Sequence, residues 1–292
     1  MKPLKRYFTL PYFFLFPTLV VLFGIAIFPL IYSIYLTVMN INLSKPQYGV
    51  HFVGLGQFLQ LAEDPAYLNS LLLTFQLSFV VIVLELTIGL LVALLYNELS
   101  TGKNIVRTVT LIPMILTPVA VGLLWRYMFQ PVYGIINYLL TSVGLPPGTW
   151  HSAPSTALMS IAIIDVWQWT PFAILVMTAG IQSLPVEPFE AARIDGASRF
   201  QVFRNLTLPL LKPVILVVLI IRGLDSLKIF DTIYVLTRGG PGLSTQVFNV
   251  NLYKEGFAFF KISYAAAGAW PIFLFSIVFS YILFRELVGK KT

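Results

Sequence analysis

Six long apolar stretches divide this chain of 292 residues and limit what it can fold into. Because about 20 apolar residues in a helix cross the roughly 30 Å hydrocarbon core of a bilayer, each stretch predicts one transmembrane helix. Charged residues make up only 11% of the chain, against about 25% in an ordinary soluble domain. The sequence therefore predicts an all-α integral membrane protein with six transmembrane helices in one domain, residues 1–292. The predicted spans are residues 12–37, 69–96, 106–129, 157–181, 213–236 and 264–287.

The distribution of Lys and Arg predicts the orientation, because cytoplasmic loops carry an excess of basic residues. Both termini and the loops after the second and fourth spans hold twelve of the 19 basic residues, and the other loops hold five. We therefore expect a multi-pass protein of the cytoplasmic (inner) membrane with both termini in the cytoplasm. Segments 38–68, 130–156 and 237–263 then face outward. The net charge of +7 is explained by topology rather than by nucleic acid, since no basic cluster exceeds two residues.

Several kinds of chemistry are not expected. The chain has no Cys, which excludes disulfides and thiolate metal sites. His51 and His151 have no second ligand at helical spacing, so we predict no metal site. A phosphate-binding loop of the type G-x-x-x-x-G-K-[ST] is also missing, since Gly102-Lys103 lacks the upstream glycine. We expect neither catalytic residues nor bound ATP, and hence no enzyme.

The polar loop 183–209 predicts two short helices joined by a tight corner. Proline suits the first turn of a helix, glycine adopts positive φ freely, and Ser-x-x-Gln forms a capping box. Proline also ends a helix when it comes later. The residues expected to play these roles are, in chain order, Pro185, Pro188, Gly196, Ser198 with Gln201, Pro209 and Pro213. Spacing alone leaves a second interpretation open, an amphipathic connector that lies on the membrane surface.

The segment Glu190–Ala197, followed by Leu208-Pro209, resembles the EAA loop of the permease subunits of ATP-binding-cassette importers. In that family the loop is a cytoplasmic helix-turn-helix, the coupling helix, that docks on a separate ATPase subunit. The resemblance implies a type I importer permease fold, a transport pore driven by another chain, and ATP and Mg on that partner. The residues it assigns to docking are Glu190, Ala191, Ala192, Asp195, Gly196, Ala197, Phe200 and Phe203.

Charged residues inside the predicted spans are candidates for the translocation pathway, because charge in a bilayer is costly and usually faces a cavity or a partner. The fifth span carries Arg222, Asp225, Lys228 and Asp231 at i, i+3 spacing, which at 100° per residue forms a spiral. These groups either pair with one another as a structural ladder or line a cavity for a polar solute. Glu85 in the second span either lines the cavity or pairs with Arg222 or Lys228.

The fourth span supplies a second candidate patch, made up of Asp165, Trp167, Gln168 and Trp169. An aromatic face beside amide and carboxylate groups suits a sugar, because the ring covers C–H groups and the polar groups bond hydroxyls. The alternative is that the tryptophans pack between helices. The candidate pathway residues are Glu85, Asp165, Trp167, Gln168, Arg222, Asp225 and Lys228.

Residues 236–245 (Leu-Thr-Arg-Gly-Gly-Pro-Gly-Leu-Ser-Thr) and the preceding segment 225–236 resemble the sugar-importer branch of these permeases, the maltose and trehalose type. This resemblance implies import of a sugar such as trehalose, maltose or an oligosaccharide by alternating access. It also implies the partners: a second homologous permease, two ATPase subunits and an extracellular or periplasmic solute-binding protein. Two alternatives stay open: the same machinery carrying glycerol phosphate or a polyol, and an ion-coupled transporter.

Overall fold

The computed structural model describes residues 5–44, 46–98 and 103–289. Some of the basic residues behind the predicted orientation lie outside these ranges, namely Lys2, Lys45, Lys290 and Lys291. Gly102 of the rejected phosphate-loop match also lies outside them.

The described part of the chain consists of α-helices and one two-stranded sheet. In chain order the elements are α1 Lys5–Leu22, α2 Phe28–Val38, β1 Met39–Asn40, β2 His51–Phe52, α3 Gly56–Glu63, α4 Pro65–Glu98, α5 Lys103–Ile115, α6 Pro118–Met128, α7 Ile135–Ser142, α8 Pro154–Gln182, α9 Glu187–Ile194, α10 Arg199–Val202, α11 Leu208–Ser226, α12 Asp231–Leu236, α13 Phe248–Tyr253 and α14 Ile262–Val288. Single π-helical turns at Phe23–Ile27 and Phe203–Thr207 join α1 to α2 and α10 to α11. A third such turn, Lys254–Ala258, follows α13.

Among the described residues, five helical segments are long and apolar enough to cross a membrane, or six if one bent pair counts as a span. Helices α4, α8 and α14 each cover one predicted span and extend it by a few residues at either end. The first predicted span corresponds to Phe14–Val38. That these particular segments cross a bilayer stays a prediction.

The third predicted span is broken rather than continuous. Helices α5 and α6 meet at a bend of 96°. The break follows from Pro118, which opens α6, and from Thr117, which caps it by accepting from Ala120 N. The exposed carbonyl of Leu116 at the break accepts a hydrogen bond from Gln168 Nε2 at 3.0 Å. A freed backbone group inside a membrane requires such a partner.

The helical structure at the fifth predicted span, residues 213–236, differs from one continuous helix with these bounds at both ends. The helix does not restart at Pro213, because α10 runs through the π-helical turn Phe203–Thr207 into α11. In a π-helical turn the backbone hydrogen bonds join residues five apart instead of four. This change of hydrogen-bond partners lets the helix continue although Pro209 has no backbone N–H to donate. At the other end α11 stops at Ser226, and α12 begins only at Asp231. The carbonyl of Leu227 in this gap accepts from Asn249 Nδ2 at 3.3 Å.

The described helices group into two compact units, whereas the sequence predicts one domain. The first unit contains residues 1–65 and 252–271. Within it β1 and β2 pair antiparallel, with Asn40 opposite His51. Ser263 Oγ accepts from Ile41 N at 2.9 Å, which ties the chain after β1 to the start of α14.

The second unit contains residues 66–251 and 272–292. In the described part of this unit, buried apolar residues cluster around Val81, Val121 and Ile164, and others cluster around Ala173 and Met177.

Glycines let the helices of the second unit approach closely. A Cβ added at Gly89 in α4 would lie 2.7 Å from the Cβ of Ala173 in α8. A Cβ at Gly223 in α11 would lie 2.7 Å from the ring of Phe279 in α14. Small residues at helix contacts are typical of membrane proteins, where backbones pack closely.

Candidate functional site

A buried ion triad joins three long helices of the second unit. Arg222 in α11 donates from Nε to Glu85 Oε2 at 2.7 Å and from Nη2 to Glu85 Oε1 at 2.8 Å. The same Nη2 donates to Asp165 Oδ2 at 2.9 Å. The side chains of Arg222, Glu85 and Asp165 are 3%, 0% and 8% exposed. Two carboxylates share one guanidinium, and each of them lies within hydrogen-bond distance of it, which offsets part of the large cost of burying these charges.

The indole of Trp169 in α8 completes the surroundings of the triad. The guanidinium carbon of Arg222 lies 4.9 Å from the centre of this ring, in a cation–π arrangement. A guanidinium held by two carboxylates and a ring has a fixed position. The triad therefore presents a rigid charged surface rather than a mobile side chain.

Part of the triad faces a cavity of about 260 Å³. Asp165, Trp169 and Arg222 form one wall, and the break between α11 and α12 forms another. Non-helical backbone at membrane depth is tolerated where it lines such a cavity, which accounts for the break. The lining residues are Pro118, Asp165, Trp169, Arg222, Asp225, Lys228, Ile229, Phe230, Asp231 and Thr232.

Only one pair of neighbouring charges in the predicted ladder forms an ion pair. Asp225 and Lys228 pair at 3.2 Å, with side chains 47% and 67% exposed. Arg222 instead turns to Glu85 and Asp165, because a buried bidentate carboxylate satisfies a guanidinium better than an exposed neighbour on its own helix. Asp231 lies beyond the helix break, in the first turn of α12, where a carboxylate is favoured by the helix dipole.

Trp167 and Gln168 do not line the cavity. Gln168 is buried and its amide is used at the break between α5 and α6. Trp167 packs edge-on against Trp125, with ring centres 5.5 Å apart. The packing alternative for the tryptophans therefore describes Trp167. Trp169, one residue further along α8 than Gln168, is the aromatic side chain at the cavity. To prefer it over Trp167 from the sequence, one would have to know which face of α8 meets Arg222.

Loop 183–209 has the predicted local structure in most respects. Helix α9 begins with Pro188 in its first turn, and Gly196 has a φ of +73° at the corner. Ser198 and Gln201 form a capping box at the start of α10. Helix α10 is the exception, because it is not ended by Pro209 but continues into α11.

The residues assigned to docking lie on and beside this corner. Glu190, Ala191, Asp195 and Gly196 are exposed, whereas Ala192 and Ala197 are half-buried. Phe200 is 68% exposed, and Ile194, which the sequence did not single out, is 86% exposed. Two large apolar side chains therefore project from this polar loop.

Phe203 has a different environment from Phe200. It lines a groove of about 770 Å³, in which Leu94 and Glu98 at the end of α4 face Val186 and Arg193 of the loop. Phe203 therefore packs toward the body of the second unit, and Phe200 projects away from the groove lining. Of the two phenylalanines, only Phe200 has most of its surface exposed.

The described residues contain no group of three or more His, Asp or Glu side chains placed to hold a metal ion. Charged side chains of the second unit meet at the triad and its cavity, while exposed apolar side chains of loop 183–209 lie at the corner. The first arrangement can bond a polar solute, and the second can bind another protein.

Comparisons with known proteins agree with this geometry. Residues 85–288 match the family model described as "Binding-protein-dependent transport system inner membrane component". The trehalose/maltose transport system permease protein MalF of Thermococcus litoralis is 39% identical over 242 residues, which cover 82% of this chain and 80% of that protein.

Two solved structures are similar along nearly the whole chain. A bacterial ABC transporter involved in the import of the acidic polysaccharide alginate superposes with a TM-score of 0.83 at 23% identity, covering 99% of this chain and 98% of that one. A bacterial alginate ABC transporter, in complex with an alginate pentasaccharide-bound periplasmic protein, gives a TM-score of 0.80 at 25% identity. It covers 99% of this chain and 97% of that one. The all-α permease fold expected from the sequence is confirmed.

Proposed function

This chain belongs to the family of binding-protein-dependent transport system inner membrane components, and on that premise we propose that it is a pore-forming permease subunit of a sugar importer. It is a transport component of the membrane and not an enzyme. The observation that carries the proposal is the cavity of about 260 Å³ at the Arg222 triad, which offers charged groups and an aromatic ring to a polar solute.

The cargo we propose is a neutral sugar, such as the disaccharides trehalose or maltose, or an oligosaccharide. Trp169 supplies a ring for C–H groups, and Asp225 and Lys228 supply acceptors and donors for hydroxyls. The relative from Thermococcus litoralis is named for trehalose and maltose, which supports this class. The cavity volume lies just below the usual range of about 300–1,000 Å³ for ligand pockets. We therefore propose that a second permease subunit supplies the rest of the site.

Glycerol phosphate is disfavoured by the charges of the cavity. Its lining holds the carboxylates Asp165, Asp225 and Asp231 against two cations, Arg222 and Lys228. Arg222 is already held by Glu85 and Asp165. A phosphate would therefore compete with carboxylates for its only well-ordered cation, whereas a neutral hydroxyl would not.

We propose that the corner of loop 183–209 docks on an ATPase subunit in the cytoplasm. The docking residues are those named from the resemblance, with Phe200 as the main apolar anchor and Phe203 as its internal support. ATP and Mg belong to that ATPase. The complete assembly has two permeases, two ATPase copies and an external solute-binding protein, and ATP binding moves the permeases between inward-open and outward-open states.

The assembly is tested by purifying tagged chain from its native host under mild solubilisation. We expect a second permease and an ATPase to co-purify, and their ATP hydrolysis to rise with a sugar-loaded binding protein. Isolation of the chain alone, with no ATPase activity in any fraction that contains it, would contradict the proposal.

The proposed orientation has a separate test, which the lack of cysteine makes simple. Arg204→Cys lies in the proposed cytoplasmic loop, and Val143→Cys lies in a proposed outward segment. Val143 is 72% exposed, so a cysteine there is open to reagents. In intact cells a membrane-impermeant maleimide should label only Val143→Cys. Labelling of Arg204→Cys instead would show that the chain has the opposite orientation.

A further inference from the structure

The first unit contains a polar cleft of about 460 Å³ that is separate from the cavity at Arg222 and shares no residue with it. It is formed by the chain around β1 and β2, by α3, and by the start of α14. The lining residues are Asn40, Ile41, Asn42, Gly49, His51, Gln57, Gln60, Lys261 and Tyr264.

The walls of this cleft are fixed by hydrogen bonds between distant parts of the chain. Leu43 N donates to Phe260 O at 3.0 Å, and Ser44 Oγ donates to Phe259 O at 2.7 Å. Tyr264 donates its hydroxyl proton to Asp64. A cleft held in this way is preformed, so a ligand that enters it does not have to order the loop.

Several polar groups of the cleft already have partners, and one does not. Gln57 donates to Met39 O at 3.3 Å, and Lys261 pairs with Glu255 at 2.8 Å. Within the described residues, the exposed side chain of Gln60 forms no hydrogen bond with the protein. Its amide oxygen and both amide protons are thus free for a ligand.

The chemistry of the lining identifies the class of ligand. Four carboxamides, at Asn40, Asn42, Gln57 and Gln60, supply both donors and acceptors, which is what vicinal hydroxyl groups require. No carboxylate belongs to the lining, and its one lysine is neutralised by Glu255. This combination disfavours cations and gives anions no free counter-charge. The volume falls within the usual range of about 300–1,000 Å³ for small-molecule sites.

We propose that this cleft is a second sugar-binding site of the permease, which holds a neutral mono- or disaccharide through its carboxamides and His51. The inference rests on the proposed function, because the sugar is the transported solute and the cleft belongs to the proposed outward segments. A preformed site with neutral hydrogen bonds binds weakly.

The test uses the complete transporter in lipid nanodiscs without nucleotide or binding protein. Binding of maltose and of trehalose is measured separately by saturation-transfer NMR. We expect Gln60→Ala to raise the Kd about two- to tenfold, the range for one neutral hydrogen bond. Gln47→Ala is the matched control, since Gln47 is an exposed glutamine of the same unit outside the lining. Its Kd should equal that of the wild type.

A double variant is included because the change in Kd from Gln60→Ala alone is small. In His51→Ala/Gln60→Ala the Kd should rise by about tenfold or more, with an unchanged Tm of the complex. No saturable binding by the wild type, or equal Kd values for the wild type and both variants, overturns the cleft site. ATP-driven uptake in liposomes is measured in parallel. Uptake without cleft binding removes only this inference, and cleft binding without uptake removes only the proposed function.

Discussion

Arg222 and Glu85 lie 137 residues apart in the chain and form a two-pronged ion pair through Nε and Nη2 at 2.7 and 2.8 Å. Asp165 adds a third helix to this pair at 2.9 Å. The triad thus connects α4, α8 and α11 at one buried point, and it also forms a wall of the proposed solute cavity. Any movement of these helices during transport has to carry the triad as a unit or open it.

Arg222→Met should destabilise the protein strongly, because it leaves two buried carboxylates without a cation. We expect a loss of about 3–5 kcal/mol, which is the range for breaking a buried ion pair by removing one partner. Thermal unfolding of the detergent-solubilised chain measures it. Lys228→Met is the control, since this side chain is 67% exposed and its pair with Asp225 contributes at most about 1 kcal/mol.

Removing all three charges should restore much of that loss. In Glu85→Gln/Asp165→Asn/Arg222→Met no charge remains buried, and replacing whole buried ion networks is often close to neutral. A triple variant that is less stable than Arg222→Met alone would show that the triad is not the source of the destabilisation.

Asp225→Ala should change transport and leave stability almost unchanged. The carboxylate is 47% exposed and lines the cavity, so its loss costs little folding free energy but removes a bond to the sugar. We expect kcat/KM for uptake to fall by about tenfold or more, the range for a hydrogen bond to a charged group.

Glu286→Ala is the matched control for Asp225→Ala. Glu286 also forms an exposed ion pair, with Lys212 at 2.5 Å, but it is not among the residues that line the cavity. Uptake by this variant should match the wild type. Equal kinetics of Asp225→Ala and Glu286→Ala would remove Asp225 from the solute pathway.

Gly196→Val should uncouple transport from ATP hydrolysis without unfolding the chain. Gly196 has a φ of +73° and no atom within 4 Å of an added Cβ, so the cost is backbone strain of about 1–2 kcal/mol and not a clash. The distorted corner no longer fits the ATPase. Sugar-stimulated ATP hydrolysis of the assembled complex should fall by about tenfold, which corresponds to about 1.4 kcal/mol of lost docking free energy.

Gly144→Val separates strain from docking. Gly144 has a φ of +81° and equally open surroundings, but it follows α7 and lies outside loop 183–209. Both variants should have a similar Tm, and only Gly196→Val should lose coupling. Normal ATP-driven uptake by Gly196→Val would refute the docking role of the corner.

Gln168→Leu should destabilise the protein by about 1–3 kcal/mol, because the carbonyl of Leu116 then lacks a partner at the break between α5 and α6. Thermal unfolding measures this loss. Gln182→Leu at the exposed end of α8 is the control and should change the Tm little. A Tm equal to that of the wild type for Gln168→Leu would mean that the carbonyl finds another donor.

Local signals in the sequence predicted much of the fold. The apolar length of α4, α8 and α14 is sufficient to recognise each of them, and the capping box at Ser198 follows from two residues alone. The gap after Ser226 was missed because its cause is not local. The carbonyl of Leu227 depends on Asn249, and a polar cavity beside the gap makes the non-helical backbone tolerable.

The candidate site was predicted in part. Intramembrane charge pointed to Glu85 and Arg222, because an ionised side chain in a bilayer needs a partner or a cavity, and the aromatic patch of the fourth span contained Asp165. Whether Arg222 bonds along its own helix or across to Glu85 depends on how the helices pack, which spacing does not specify. For the same reason the list of pathway candidates kept Trp167 and Gln168 from the patch on α8 and left out their neighbour Trp169.

The most direct test of the account is uptake of radiolabelled disaccharide into proteoliposomes that contain the complete complex. Maltose and trehalose are offered with the cognate binding protein, in the presence of ATP or of an imposed proton or sodium gradient. The account predicts uptake that requires ATP and the binding protein and that is lost in Gly196→Val but not in Gly144→Val. Uptake driven by the ion gradient alone, with no ATP, would contradict it.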